Sequence, residues 1–116
     1  MIDSFHYVYI LTNKYKGVLY IGVTVNMSRR LYEHVTGMNP GFAHNYNCRH
    51  LVYYEQFEDI ELAISREKQL KHWRREKEER LISSFDADWK FLNERFLPSK
   101  SLWQIKKHTN HNPPIL

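Results

Sequence analysis

Cysteine is nearly absent from this chain. The one copy, Cys48, excludes an intramolecular disulfide and fits a reducing compartment. No apolar run approaches the length needed to span a bilayer, so no membrane association is expected. The opening Met-Ile-Asp-Ser-Phe-His lacks the basic and apolar stretches of a signal peptide, which makes a cytoplasmic protein the expectation. There is no internal repeat and no interdomain linker. Cys-x-x-Cys and His-Glu-x-x-His are missing as well. His34, His44, Cys48, His50 and His72 could be assembled on paper into a zinc set. Cys48-x-His50 is a poor spacing for one, and structural zinc is not expected.

What is present points to one folded unit. The length of 116 residues fits a single domain with its own core. A hydrophobic share of 42%, with 15% aromatic, argues against a disordered chain. The net charge is +4. Between Arg66 and Arg80 there are seven Lys or Arg and four Glu, a local excess of +3. Such a stripe attracts polyanions, nucleic acid being the commonest; it also reads as a solvated helix face laced with Glu/Lys pairs.

Residues 5–12 are β-branched and aromatic and read as a strand. Residues 13–17 form a turn, with Asn13 and Gly17 available for positive φ. Residues 18–23 return as the second strand of a hairpin. Alternation puts Tyr7, Tyr9 and Leu11 on one face of the first strand. Tyr20 and Gly22 share a face of the second. Whether these are the same face depends on a register that a five-residue loop leaves open. Asn26 suits the N-cap of a helix over 27–36, with Met27, Leu31 and Val35 as its apolar stripe and Gly37 as its stop. Residues 38–50 read as a loop long enough to suspect function. Residues 51–57 form a third strand, and Asp59 caps a helix running to about Arg74. Helix formers continue over 76–83 after a bend, and 86–96 suggest a further short helix.

Four side chains near the N-terminus suit the handling of a phosphodiester. Arg30 offers a planar, permanently charged fork for a phosphate. One helical turn on, His34 can shuttle a proton. Tyr9 and Tyr20 could position or activate a water, although a phenol of pKa near 10 needs positive charge beside it to act as a base. Taken singly, each tyrosine also reads as ordinary sheet packing, and Arg30 and His34 as a surface pair. Glu67 is harder to explain. On its helix the inward face reads Ile60, Ala63, Ile64, then Glu67, then Leu70, placing a carboxylate where an apolar residue belongs. It could be a ligand for Mg²⁺, which accepts one or two carboxylates with phosphate and water filling the remaining positions. It could equally be paired with a core Arg or Tyr, with Arg30 the obvious partner.

Tyr7-Val8-Tyr9 followed by Tyr20-Ile21-Gly22 resembles the two motifs of the GIY-YIG nuclease superfamily. The similarity extends from Tyr20 to His34, through Leu51-Val-Tyr-Tyr-Glu55, and over Arg66-Glu-Lys-Gln-Leu-Lys-His-Trp-Arg-Arg-Glu76. It is greatest to the small, single-domain bacterial members. The resemblance implies an α+β fold, a small three-stranded and largely antiparallel sheet flanked by helices. It covers roughly residues 5–85, and since the chain turns polar after Pro98, a nuclease-like domain is expected over 1–97 with 98–116 as a polar, partly disordered tail. It implies an endonuclease that hydrolyses DNA with one Mg²⁺ or Mn²⁺ ion, in a setting such as repair or recombination. By position, Tyr9 closes the first motif and Tyr20 opens the second. Arg30 and His34 fall on the helix positions, and Glu67 on the metal-binding glutamate. Lys68, Lys71, Arg74 and Arg75 are then expected on backbone phosphates.

The chain also departs from the family pattern. Tyr7 replaces the first glycine, Val23-Thr24-Val25 carries no lysine after the second motif, and the residues after Pro98 are not expected to form the separate DNA-binding domain of larger relatives. These departures keep open a non-catalytic nucleic-acid-binding module on the same fold. A protein-interaction domain using Trp73 and Trp89 is a third reading.

Overall fold

The computed structural model describes residues 5–38 and 40–97. The tail expected over 98–116 lies outside them. Three strands form one antiparallel sheet in the order β2-β1-β3, where β1 is His6–Thr12, β2 is Leu19–Thr24 and β3 is His50–Phe57. The helices are α1 (Met27–Thr36), α2 (Phe42–Asn45), α3 (Ile60–Lys71) and α4 (Arg75–Phe85). A single 3₁₀ turn, Asn93–Arg95, stands where a short helix over 86–96 was expected.

The central strand is apolar on both faces, and both are covered. Val8, Tyr9, Ile10 and Leu11 are completely buried. Tyr9 and Leu11 pack with Met27, Leu31 and Val35 of α1 and with Leu51, Leu92 and Leu97. Val8 and Ile10 pack on the other side with Ile21, Val52, Ala63, Leu70 and Ile82. A continuous apolar run in β1 is thus what a strand between two helical layers requires. The pairing with β3 shifts between Ile10 and Leu11, so that Tyr53 faces Ile10 but Leu51 faces Leu11, with Val52 the extra residue. Buried Asn93 secures this bulge, accepting from Leu51 N at 2.8 Å and donating to the Arg49 carbonyl at 3.0 Å.

The hairpin register settles the question the loop left open. Tyr9 pairs with Gly22 and Leu11 with Tyr20, which puts Tyr9, Tyr20 and Gly22 on one face. The turn itself differs from expectation. Its positive φ falls on Lys16 (60°), not on Asn13 or Gly17. The Asn13 side chain accepts from Gly17 N at 2.8 Å, and Arg75 of α4 donates to the carbonyls of Gly17 and Lys16, so the turn is held from outside.

Helix α1 has the expected bounds because both ends are capped locally. Asn26 accepts from Arg29 N at 3.0 Å. Gly37, at φ 72°, closes the helix, and Met38 N donates to the Glu33 carbonyl. The expected inward face of α3 needs correction. Ala63 and Leu70 are buried, but Ile60 and Ile64 are 41% and 38% exposed. At about 100° per residue, Ile64 stands a quarter turn off the Ala63–Leu70 row, with Glu67 nearer to it. The helix also stops at Lys71 rather than Arg74. His72 N and Trp73 N bond to Gln69 and Leu70 carbonyls, tightening the last turn before α4 begins.

Candidate active site

The first turns of α1 follow β2 almost directly, so His34 is carried back over the sheet face that holds the two tyrosines. The Tyr9 hydroxyl lies 3.1 Å from His34 Nε2. The Tyr20 ring sits 5.6 Å from His34 and 6.3 Å from Tyr9, closing a three-ring cluster. Gly22 makes room for it. A Cβ there would lie 2.5 Å from both Cζ and Oη of Tyr9, so the phenol occupies the space a side chain would fill.

The electrostatics fix the charge state of both partners. Burial, with the positive charge of Arg30 beside it, lowers the His34 pKa to about 4. Burial first, then Tyr20 and the Glu67 carboxylate, push the Tyr9 phenol above its usual range, against a downward pull from Arg30. At neutral pH both groups are therefore uncharged. With the imidazole proton on Nδ1, Nε2 accepts from the phenol O–H; with the proton on Nε2, the imidazole donates to the phenol oxygen instead. The arrangement holds an oxygen that can pass its own proton to His34 as it accepts another.

Two residues from different layers bear on this phenol without joining the ring cluster. Arg30 is held by Glu33 through Nε at 3.3 Å, its side chain 40% exposed. Arg29 pairs with the same glutamate and faces solvent. Glu67 lies on α3, and its carboxylate is among the charges that act on the Tyr9 phenol. Its side chain is only 15% exposed, and Lys71 Nζ lies 2.7 Å from Oε2. The partner of this carboxylate is therefore Lys71, one helical turn on, and not Arg30. That pairing was readable from the i,i+4 spacing. No three His, Cys, Asp or Glu side chains gather as a metal-binding group among the described residues. A lone, mostly buried carboxylate matches the donor set of an ion that takes phosphate and water as its other ligands.

A neighbouring network positions Glu67. Arg66 grips Glu55 of β3 through Nε and Nη2 at 2.8–3.2 Å and donates to Gln69 at 2.7 Å. The Tyr53 hydroxyl bonds to the same Glu55. This half-buried fork pins α3 to the sheet one residue before Glu67. The pairing of Glu55 with Arg66 is not legible in the sequence, since it joins positions eleven apart across two elements.

The basic stripe divides. Lys71 is occupied by Glu67, and Arg75 by Glu79 and the hairpin turn. Lys68 and Arg74 are exposed and join no ion pair among the described residues. Arg74, with Lys77, Arg80, His72 and Trp73, lines an open cleft at the α3–α4 junction. Trp73 is flanked by Arg66 and Lys77, and both Trp73 and Trp89 pack against the core beneath α3 and α4. No described helix is long and apolar enough to cross a membrane.

Comparison with known proteins gives these side chains a context. The family model for the GIY-YIG catalytic domain matches residues 5–80. A UPF0213 protein of Haloquadratum walsbyi is 34% identical over 80 residues, covering 69% of this chain and 89% of that protein. A UPF0213 protein of Natronomonas pharaonis is 36% identical over 78 residues, covering 67% and 91%. The solution NMR structure of a UPF0213 protein from Bacillus halodurans is 33% identical, with a TM-score of 0.43 over 68% of this chain and 83% of that one. The chain belongs to the GIY-YIG catalytic domain family, whose domain implies a nuclease working on nucleic acid.

Proposed function

We propose that this protein is a divalent-metal-dependent endonuclease that hydrolyses DNA phosphodiester bonds, with DNA repair or recombination as its setting. The observation that carries the proposal is the Tyr9 hydroxyl 3.1 Å from a neutral His34, in a cluster whose phenol feels both Arg30 and Glu67. In the tautomer with Nε2 free to accept, Tyr9 orients the attacking water and takes its proton as its own passes to His34 Nε2, and the negative charge developing at the phosphate offsets the cost of charging that buried imidazole. Tyr20 flanks the same space and is the competing candidate for the water contact. Arg30, tethered by Glu33, binds the scissile phosphate. Glu67 is the residue that would hold Mg²⁺ or Mn²⁺, the flexible and half-exposed Lys71 swinging aside. Such an ion, when bound, supplies positive charge to the phosphate and the leaving oxygen. Lys68 and Arg74 contact backbone phosphates, joined by Lys71 and Arg75 where their present partners release them.

Nicking of plasmid and flapped DNA in Mg²⁺ or Mn²⁺ tests this, with DNA binding measured in parallel. The wild type is expected to nick, and Glu67→Ala to bind but not cut. The Lys71–Glu67 pair, which occupies the carboxylate, favours a second reading: a nucleic-acid-binding module without cleavage. Salt-dependent binding with no cut on any substrate would select that reading and sink the first.

A further inference from the structure

The aromatic surface does not end at Tyr20. Phe42 covers its outer side, ring centroids 6.2 Å apart and planes within 21°. Phe42 in turn meets Tyr46, one turn along α2, at 4.5 Å. Both rings are about half exposed, at 49% and 51%, while the buried residue of this short helix is Ala43. They are surface groups held in place from several sides. Gly41 enters α2 at φ 130°, a conformation suited to glycine. A Cβ on Gly37 would meet the His44 ring at 3.2 Å, so α2 rests against the end of α1. Cys48 N donates to the Ala43 carbonyl at 2.8 Å, and Cys48 itself is fully buried. A Cβ on Gly37 would also lie 3.7 Å from Arg49 Nη2, which sets a guanidinium beside the turn.

We propose that Phe42 and Tyr46 are a stacking platform for an unpaired nucleobase next to the scissile phosphate, which directs the protein to nucleic acid with unpaired nucleotides at the cut. The proposal rests on the nuclease reading and adds a substrate class to it. Inside a duplex both faces of a base are covered by its neighbours, so only an unpaired base has a face free for a protein ring. Phe42 is continuous with Tyr20, and Tyr20 with Tyr9 and His34. A base on Phe42 therefore belongs to a nucleotide adjoining the phosphate at that cluster. Rigid exposed rings beside a cation are the usual means of holding a single strand without reading its sequence. Two rings alone make too small a patch for a stable protein partner.

The test is fluorescence anisotropy with the full chain in EDTA, where no cleavage occurs. The probes are a short labelled strand and its blunt duplex. The wild type is expected to prefer the single strand. Phe42→Ala should weaken single-strand binding about tenfold and leave duplex binding and its salt dependence unchanged. Phe42→Leu, apolar but without a ring, should lose as much, and Tyr46→Phe should lose little. Melting curves show whether each variant is folded; if Phe42→Ala is not, Phe42→Leu and Tyr46→Ala carry the comparison. Unchanged single-strand affinity without the ring, or an equal loss on both probes, overturns the platform even where plasmid nicking stands. Full binding by Phe42→Leu points to a generic apolar contact, such as a protein partner would use, and overturns it too. A wild type that binds neither probe overturns the platform and the nuclease reading together.

Discussion

Gly22 shows how closely the site depends on single atoms. Adding a methyl group at this position places a carbon 2.5 Å from the Tyr9 ring and hydroxyl, so the phenol must move off His34. Gly22→Ala should cost about 1–3 kcal/mol of stability and reduce cleavage by more than that loss explains, as urea denaturation beside a nicking assay would show. The residue pattern made some of this legible. Tyr9, Tyr20, Arg30 and His34 were singled out because their chemistry converges on a phosphate. Their shared face was not legible, because it depends on Leu11 pairing with Tyr20 across a loop of free register. Helical spacing places Glu67 in an apolar row with Ile60 and Ile64, yet both isoleucines are substantially exposed. The row turned out to be Ala63 and Leu70, and local periodicity alone did not distinguish the two. Phe42 escaped notice because its partner, Tyr20, lies on a distant strand.

Among the elements, α1 matters most, since it carries both Arg30 and His34. Its bounds were legible because its signals are local: Asn26 at one end, Gly37 at the other, and a stripe of Met27, Leu31 and Val35 that is buried as expected. Removing the cap should therefore be felt along the helix. Asn26→Ala is expected to cost about 1 kcal/mol, read as a lower urea midpoint with an unchanged slope. The ends of α3 and α4 were less legible. The sequence has helix formers on through Arg74, but α3 ends at Lys71, where His72 N and Trp73 N take the Gln69 and Leu70 carbonyls and Trp73 packs on the core. Helix α2 is only four residues long and too short for any periodicity to announce it.

At the scale of the molecule, the sheet is covered on both faces, with Tyr9 and α1 in one layer and α3, which carries Glu67, in the other. The buried neutral pair Tyr9 and His34 also sets the molecule's pH response. His34 has a folded pKa of about 4 against an ordinary 6.5, so the unfolded chain binds the extra proton first. Its contribution to stability is full above pH 6.5 and is lost as the pH falls toward 4. Tyr9 is raised above 10.0, so its contribution is full below pH 10 and lost as the pH rises further. Melting temperature against pH should form a plateau between these limits, and His34→Gln should flatten the acid side. In the proposed mechanism Tyr9 from β1 and Glu67 from α3 serve one reaction. Single-turnover DNA cleavage by the wild type, Tyr9→Phe, Glu67→Gln and the double variant tests it most directly. The prediction is a cutting wild type, a fall of about 10²-fold or more in each single variant, and a double variant no slower than the worse single, as for residues acting as one unit. A Tyr9→Phe protein that cuts at the wild-type rate, or losses that simply multiply in the double variant, would contradict it.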